Sequence, residues 1–384
     1  MEVMSTLSAE QRQYVESVQD VVEAEMRGRA FSWNGETPWA NLRALAEADL
    51  LCANFAPEYG GQGYGEFEAM LAVEAVGRVC PDTAWFVYTQ QMVGPRAIEM
   101  FGSEVAKETY LPQIAEGRSH IAIAISEPDA GSDVGSMKTT VSESDDGTLV
   151  LNGEKIWVGG VPSSDAAVVW AKFPEGLGSL VLDFDAPGVD IEKHYRNMVN
   201  YTQTHFTIDD VEIPEENVLT RGREGFKQQL KALNWERLGS AVVANSWATC
   251  ALDHALDYAA EREQFGQPIA DFQGMEWKFA DMLTEIEVST AIAYREGVRA
   301  ANAGTPPDRL ATSMAKLYSS QMVERVASEA VQTVGARAYQ KGHPLEYLFR
   351  LVRGRRIAAG TDEIQKNTIA RTLKEKGIPS ILDR

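Results

Sequence analysis

Basic charge is scarce in this chain of 384 residues: Lys+Arg number 36 against Asp+Glu 56, a formal net charge of -20. A field of that sign repels nucleic-acid phosphates and anionic lipid, so neither nucleic acid nor membrane is expected as a partner. Long hydrophobic runs are missing too. No apolar stretch approaches the ~18 to 20 residues of a transmembrane helix, and the opening MEVMSTLSAEQ has neither the basic nor the apolar region of a secretory leader. Cysteine is sparse: Cys52, Cys80 and Cys250 are odd in number, far apart and in apolar contexts. Buried thiols in a reducing cytoplasm explain them better than disulfides. The five histidines are scattered and no His/Cys/Asp/Glu cluster has ligand spacing, so no metal is expected. No GxGxxG sits between a strand and a helix, which leaves a βαβ dinucleotide fold unsupported.

What is present is an ordinary globular composition, 44% hydrophobic and 24% charged, in a chain long enough for roughly two or three domains. Ser8 to Gln11 reads as a capping box opening an amphipathic helix with Val15, Val18, Val21 and Val22 on one face. Asn41 to Leu51, Glu66 to Val79, Gln90 to Phe101 and Val105 to Ala115 repeat the helical pattern, with PEYGGQG at 57–63 as a break. Residues 1–118 are therefore expected to form an N-terminal helical domain. From 119 to 224 the apolar period becomes two. Asp146-Gly147 and Asn152-Gly153 read as hairpin turns, and Ala166 to Lys172, Ser179 to Phe184 and Thr204 to Ile208 as short strands. Such strands predict a middle antiparallel β domain or barrel. From 225 to 384 the signals are helical again, Phe226 to Glu263, Phe272 to Asn302, Pro307 to Gly335 and a last helix from near Thr361, as in a four-helix bundle. The predicted class is α+β.

The transition between the first two regions is IAIAISEPDAGSDVGSMKTT at 121–140. A short apolar strand meets Glu127-Pro128, and a turn of Asp129, Gly131, Ser132 and Asp133 follows, rich in compact donors and close-approach backbone. With PEYGGQG at 57–63, NGEKIWV at 152–158, EREQFGQPIADFQ at 261–273 and AAGTDEIQ at 358–365, in that order, the chain resembles the acyl-CoA dehydrogenase flavoproteins over nearly its whole length. The resemblance implies a β domain held between two helical domains, FAD as cofactor, an acyl-CoA substrate, an electron-transfer flavoprotein as electron acceptor, and a homo-oligomer, a tetramer in most relatives.

The family's reaction takes an α-proton from an acyl thioester while the β-hydrogen leaves as hydride to the flavin, which requires a carboxylate base. Many relatives carry that Glu just before the Gly-Thr of the late motif, where this chain has Ala359. A minority, including isovaleryl-type and long-chain-type members, place it before an Arg early in the first long C-terminal helix, and here Glu236-Arg237 in NWERLGS fills that place. Glu236 is thus the expected base, in an apolar pocket that raises its pKa. Arg237, about 100° around the helix, is expected to fix packing or the thioester arm rather than pair with it. The Ala359 backbone N–H is expected to bind the thioester oxygen.

By the same resemblance, Ile125 and Ser126 would meet the flavin ring and Trp157 would cover it. Gly159 stands where relatives often have Thr or Ser. Arg262, Gln264, Phe265 and Gln273 would reach the adenine and diphosphate end. Gln332 and Gly335 would touch the FAD of a neighbouring subunit, in a loop whose other glycines are Ala336 and Ala338 here. Thr361 and Glu363 would lie near diphosphate and adenosine, and Ser132 and Asn234 near pantetheine. Arg96 is either an exposed charge or a partner for a polar acyl tail. Two other readings stay open: a carrier-protein thioester as substrate, and a desulfinase-like lyase, oxidase or monooxygenase on the same fold, favoured by Ala359 and Gly159. A third, a nucleic-acid-associated flavoprotein, is opposed by the charge of -20.

Overall fold

A computed structural model describes residues 7–380; residues 1–6 and 381–384, with them most of the stretch read for a leader, lie outside the described residues. Ser8 opens α1 (Ala9–Val21) with a reciprocal capping box, its Oγ accepting the Gln11 N–H at 3.0 Å while Gln11 Oε1 accepts the Ser8 N–H at 2.9 Å. Then come α2 (Trp39–Glu47), α3 (Glu66–Gly77), α4 (Pro81–Met92), α5 (Gly94–Phe101) and α6 (Glu104–Ala115). The helix expected through Leu51 stops at Glu47, because Asp49 and Cys52 take left-handed φ of 59° and 54°. Nearly every residue of α4 is buried, which makes it an interior helix.

The sheet comprises β1 (Ile121–Ala124), β2 (Thr140–Glu143), β3 (Leu149–Gly159), β4 (Ala166–Phe173), β5 (Gly176–Asp183), β6 (Val189–Arg196), β7 (Thr202–Ile213) and β8 (Val218–Thr220). Their order is β6-β7-β3-β2-β4-β5-β8, with β1 beside β4. Most pairs are antiparallel, as expected, but β1 and β2 run parallel to β4. Asp146-Gly147 does turn β2 into β3. Asn152-Gly153 does not turn the chain: it lies inside β3, where the register against β7 slips between Leu151 and Gly153. The Asn152 amide donates to Asp210 Oδ1 and accepts the Asp210 N–H, both at 2.9 Å, so its turn chemistry is used across the ladder in a bulge.

The last layer holds α7 (Gly222–Glu261), α8 (Gln273–Ala303), α9 (Arg309–Val334), α10 (Pro344–Val352) and α11 (Asp362–Lys376), with a small hairpin of β9 (Glu263–Gln264) and β10 (Gln267–Pro268) after α7. One apolar core joins the first helices to these, and a second lies within the sheet. The three cysteines are free and buried. Among the described residues no helix is long and apolar enough to cross a membrane, and no group of three His, Cys, Asp or Glu could hold a metal ion.

Candidate active site

Glu236 lies on α7 just past the buried Asn234 and Trp235. Protein surrounds it, yet it keeps partial exposure, so it lines a recess instead of packed core. Burial pushes its carboxyl up to about 7, against the opposing pull of Arg237 and Arg355. Arg237 turns away from it, its Nε donating to the Ala359 carbonyl at 3.3 Å. Ala359 and Gly360 both take positive φ, 56° and 86°, and Gln365 Nε2 donates to the Gly360 carbonyl at 3.0 Å, which fixes that loop against the recess. Thr361 caps α11 by accepting the Ile364 N–H at 3.3 Å, with Glu363 exposed in the first turn. Asn234 is buried and its amide donates to the Pro307 carbonyl at 3.1 Å, whereas Ser132 is exposed in the turn after β1.

One turn beyond the carboxylate, Gly239 and Ser240 share its face of α7. A Cβ at 239 would stand 2.5 Å from Met92 Sδ and 2.9 Å from the Tyr88 ring, so this glycine is what lets α4 close on α7. Ser240 Oγ accepts a hydrogen bond from Arg355 at 3.3 Å, and the Arg355 guanidinium lies over Trp85 at 4.3 Å and Trp247 at 5.6 Å. The sequence reading names none of Tyr88, Trp85, Tyr201 and Arg355. The available signal for Arg355 is spacing: in the 3₁₀ turn Arg353–Arg356, positions 353 and 356 eclipse and both meet Glu324, which leaves 355 on another side.

The turn after β1 is anchored by a buried pair that the sequence reading also omits. Lys155 Nζ meets Glu127 Oε1 at 3.0 Å and donates to the Ile125 carbonyl at 3.1 Å. Glu127 accepts the Thr139 N–H at 2.9 Å as well, and the Ser126 carbonyl accepts the Ile156 N–H at 3.0 Å. Trp157 follows with φ 62°, 51% exposed, its ring 4.9 Å from Tyr195. At Gly159 an added Cβ would stand 2.8 Å from Tyr201 Cε1; the phenol ring takes the space a Thr or Ser side chain would need. Tyr201 meets Trp85 edge-on at 6.5 Å and so connects β3 with the wall beside Arg355. Arg96 is neither an exposed charge nor a free partner, because it pairs with Glu66 at 2.6 Å and with Glu99.

Three domain profiles match in register with these layers: acyl-CoA dehydrogenase N-terminal domain over 8–118, middle domain over 122–211 and C-terminal domain over 223–374. The chain belongs to the acyl-CoA dehydrogenase family. It is 34% identical over 378 residues to a probable acyl-CoA dehydrogenase of Bacillus subtilis, YngJ, covering 96% of this chain and 98% of that one. Butyryl-CoA dehydrogenase from Megasphaera elsdenii superposes with a TM-score of 0.87 at 28% identity, over 96% of this chain and 99% of that one. A chain in a structure of the electron transferring flavoprotein of Acidaminococcus fermentans gives 0.87 at 30% identity, over 96% and 98%.

Acyl-CoA dehydrogenases bind FAD, and this chain is an FAD oxidoreductase. Its residues suit that group. The exposed Trp157 indole beside the Ile125–Ser126 turn offers a flat apolar surface next to hydrogen-bonding backbone. Far along the bundle, Phe265 is 96% exposed at the tip of the β9–β10 hairpin, with Arg262 and Gln264 exposed on its flank and Gln273 opening α8. That arrangement fits a base and a diphosphate. Gln332 and Gly335 end α9 nearby, where Arg337 lies over Tyr258 of α7 at 5.6 Å. Ala338, in place of a loop glycine, is fully buried, so its methyl is absorbed by the core; Ala336 is exposed.

Proposed function

We propose that this enzyme desaturates an acyl-CoA thioester between Cα and Cβ, with Glu236 as the base. The observation that carries the reading is the carboxylate itself: protein largely encloses it, its affinity for protons is raised toward neutrality, and its neighbour Arg237 ties the same turn to the Ala359 loop. A base whose pKa lies near working pH combines availability with driving force. Glu236 takes the α-proton. The Ala359 N–H, on a loop held by Arg237 and Gln365, receives the charge that develops on the thioester oxygen. Bound FAD supplies the acceptor for the β-hydrogen, which leaves with its electron pair. Ile125, Ser126 and Trp157 hold the ring, Gly159 leaves Tyr201 room against it, and Thr361 and Glu363 meet the diphosphate and adenosine. Arg262, Gln264, Phe265, Gln273, Gln332 and Gly335 hold the far end of a neighbouring subunit's cofactor in a homotetramer. Ser132 and Asn234 flank the pantetheine arm, and an electron-transfer flavoprotein in the cytoplasm reoxidises the enzyme.

The test is anaerobic bleaching of flavin absorbance by a panel of saturated acyl-CoAs, with product mass. A product two hydrogens lighter is expected, and Glu236→Gln should keep fold and FAD but lose turnover by roughly 10²- to 10⁴-fold. Undiminished turnover in that variant removes Glu236 from the role.

A further inference from the structure

Arg355 is a buried cation beside Glu236 that the protein leaves without a charge partner in contact. It is only 5% exposed, and a buried guanidinium is stable when paired or fully hydrogen-bonded. Arg355 is neither. Among the described residues no carboxylate lies in ion-pair range of it, its one hydrogen bond is the 3.3 Å contact to the Ser240 hydroxyl, and its Nε has no partner. The faces of Trp85 and Trp247 screen the cation but accept no hydrogen bond in its plane. Its sequence neighbours differ: Arg353 and Arg356 both meet Glu324, and Arg356 also meets Asp362 at 2.8 Å.

The charges around it compound the imbalance. From α7 it is faced by Glu236, from α4 by the Tyr88 phenol, and from α9 by Lys316. Lys316 is 1% exposed and its Nζ has no partner. Of the two acids that act on Lys316, Asp362 is taken up by Ser320, Gln321 and Arg356, and Glu363 is exposed in the first turn of α11. The one carboxylate that acts on Arg355 is thus Glu236, the proposed base, which burial holds partly protonated near neutral pH.

We propose that Arg355 receives an anionic group at the distal end of the acyl chain, so that the substrate is an acyl thioester ending in a carboxylate or comparable anion, not in a methyl group. The placement suits this. Ser240 is one helical turn from Glu236 on the same face of α7, so a chain with its α-carbon at Glu236 reaches Arg355 about 5 to 6 Å further on. Trp85 and Tyr88 wall that path. A carboxylate there would meet a planar donor fork from which water is excluded. Among the described residues the other arginine that acts on Glu236, Arg237, is already committed to the Ala359 carbonyl.

The inference rests on the dehydrogenase reading, and the experiment separates the two. Holoenzyme is reduced anaerobically with succinyl-, glutaryl- and adipyl-CoA and with butyryl-, pentanoyl- and hexanoyl-CoA, and the affinities of non-reactive 3-thia analogues are measured by calorimetry. At one chain length or more, the acid-tailed thioester should exceed its alkyl counterpart by roughly 10- to 100-fold in reduction efficiency and in affinity. Arg355→Met should bring that ratio near one, and Arg355→Lys should retain part of it. Alkyl thioesters reducing the wild-type flavin as well as or better than every acid-tailed one would overturn the inference and leave the dehydrogenase reading standing. If neither series reduces the flavin, the dehydrogenase reading falls first. The wild-type ratio decides the matter even if the methionine variant does not fold.

Discussion

Glu236 must be ionised to take a proton, and the burial that makes it a strong base also opposes that ionisation. With its carboxyl held at about 7 in the free enzyme, kcat/KM should climb about tenfold per pH unit below that value and level off above it. A profile flat from pH 5.5 to 8 would contradict the assignment. The same shift has a sign for stability. The folded carboxyl binds protons more tightly than the ordinary value of 4.5, so its contribution is present below 4.5 and is lost as pH rises through about 7. Thermal melts should therefore favour Glu236→Gln over wild type more at pH 8 than at pH 5. The proposed base could be named from the sequence because it sits inside a contiguous motif. Tyr201, Trp85 and Arg355 could not, because β7, α4 and the turn before α11 meet only in the folded chain. Gly159 read as a departure that favours other flavin chemistry on the same fold; in the structure it is room for a phenol ring.

At the scale of elements, the turn that follows β1 depends on a side chain from β3. Lys155 holds both the Ile125 carbonyl and the buried Glu127 carboxylate, with neither exposed beyond 5% of its side chain. Lys155→Met would strand that carboxylate, at about 3 to 5 kcal/mol. Denaturant unfolding should show the loss, and FAD should dissociate more readily because Ile125 and Ser126 lose their anchor. Normal FAD retention with lowered stability would separate the two roles. Element reading from sequence succeeded where one face is buried, as in the four long C-terminal helices. It passed over β6, DIEKHYR with a leading Val, because this edge strand exposes most of its residues and carries no period of two. The Asn152-Gly153 reading failed for a different reason: the same dipeptide chemistry that closes a hairpin also serves a bulge.

Across the whole molecule, large apolar side chains are exposed along the C-terminal bundle, among them Phe265, Trp277, Leu283 and Tyr339. A chain with a net charge of -20 resists casual association, so a surface of this kind is consistent with the proposed homo-oligomer. Phe265→Asp should weaken assembly and FAD retention together, read by light scattering and flavin content; loss of one without the other would divide the interface from the cofactor site.

The length of α7 constrains that assembly. Its 40 residues make it a ruler: from Glu236 to Arg262 just past its end is roughly 39 Å at 1.5 Å per residue. That span exceeds the reach of one extended dinucleotide, so a flavin beside Glu236 cannot have its adenine on the same subunit's hairpin. In the proposed oligomer the two ends of α7 belong to different catalytic centres. Each subunit lends to its neighbour what it lacks itself, and a hybrid pairing one chain defective at Glu236 with another defective at Arg262 would contain both doubly damaged and fully intact sites.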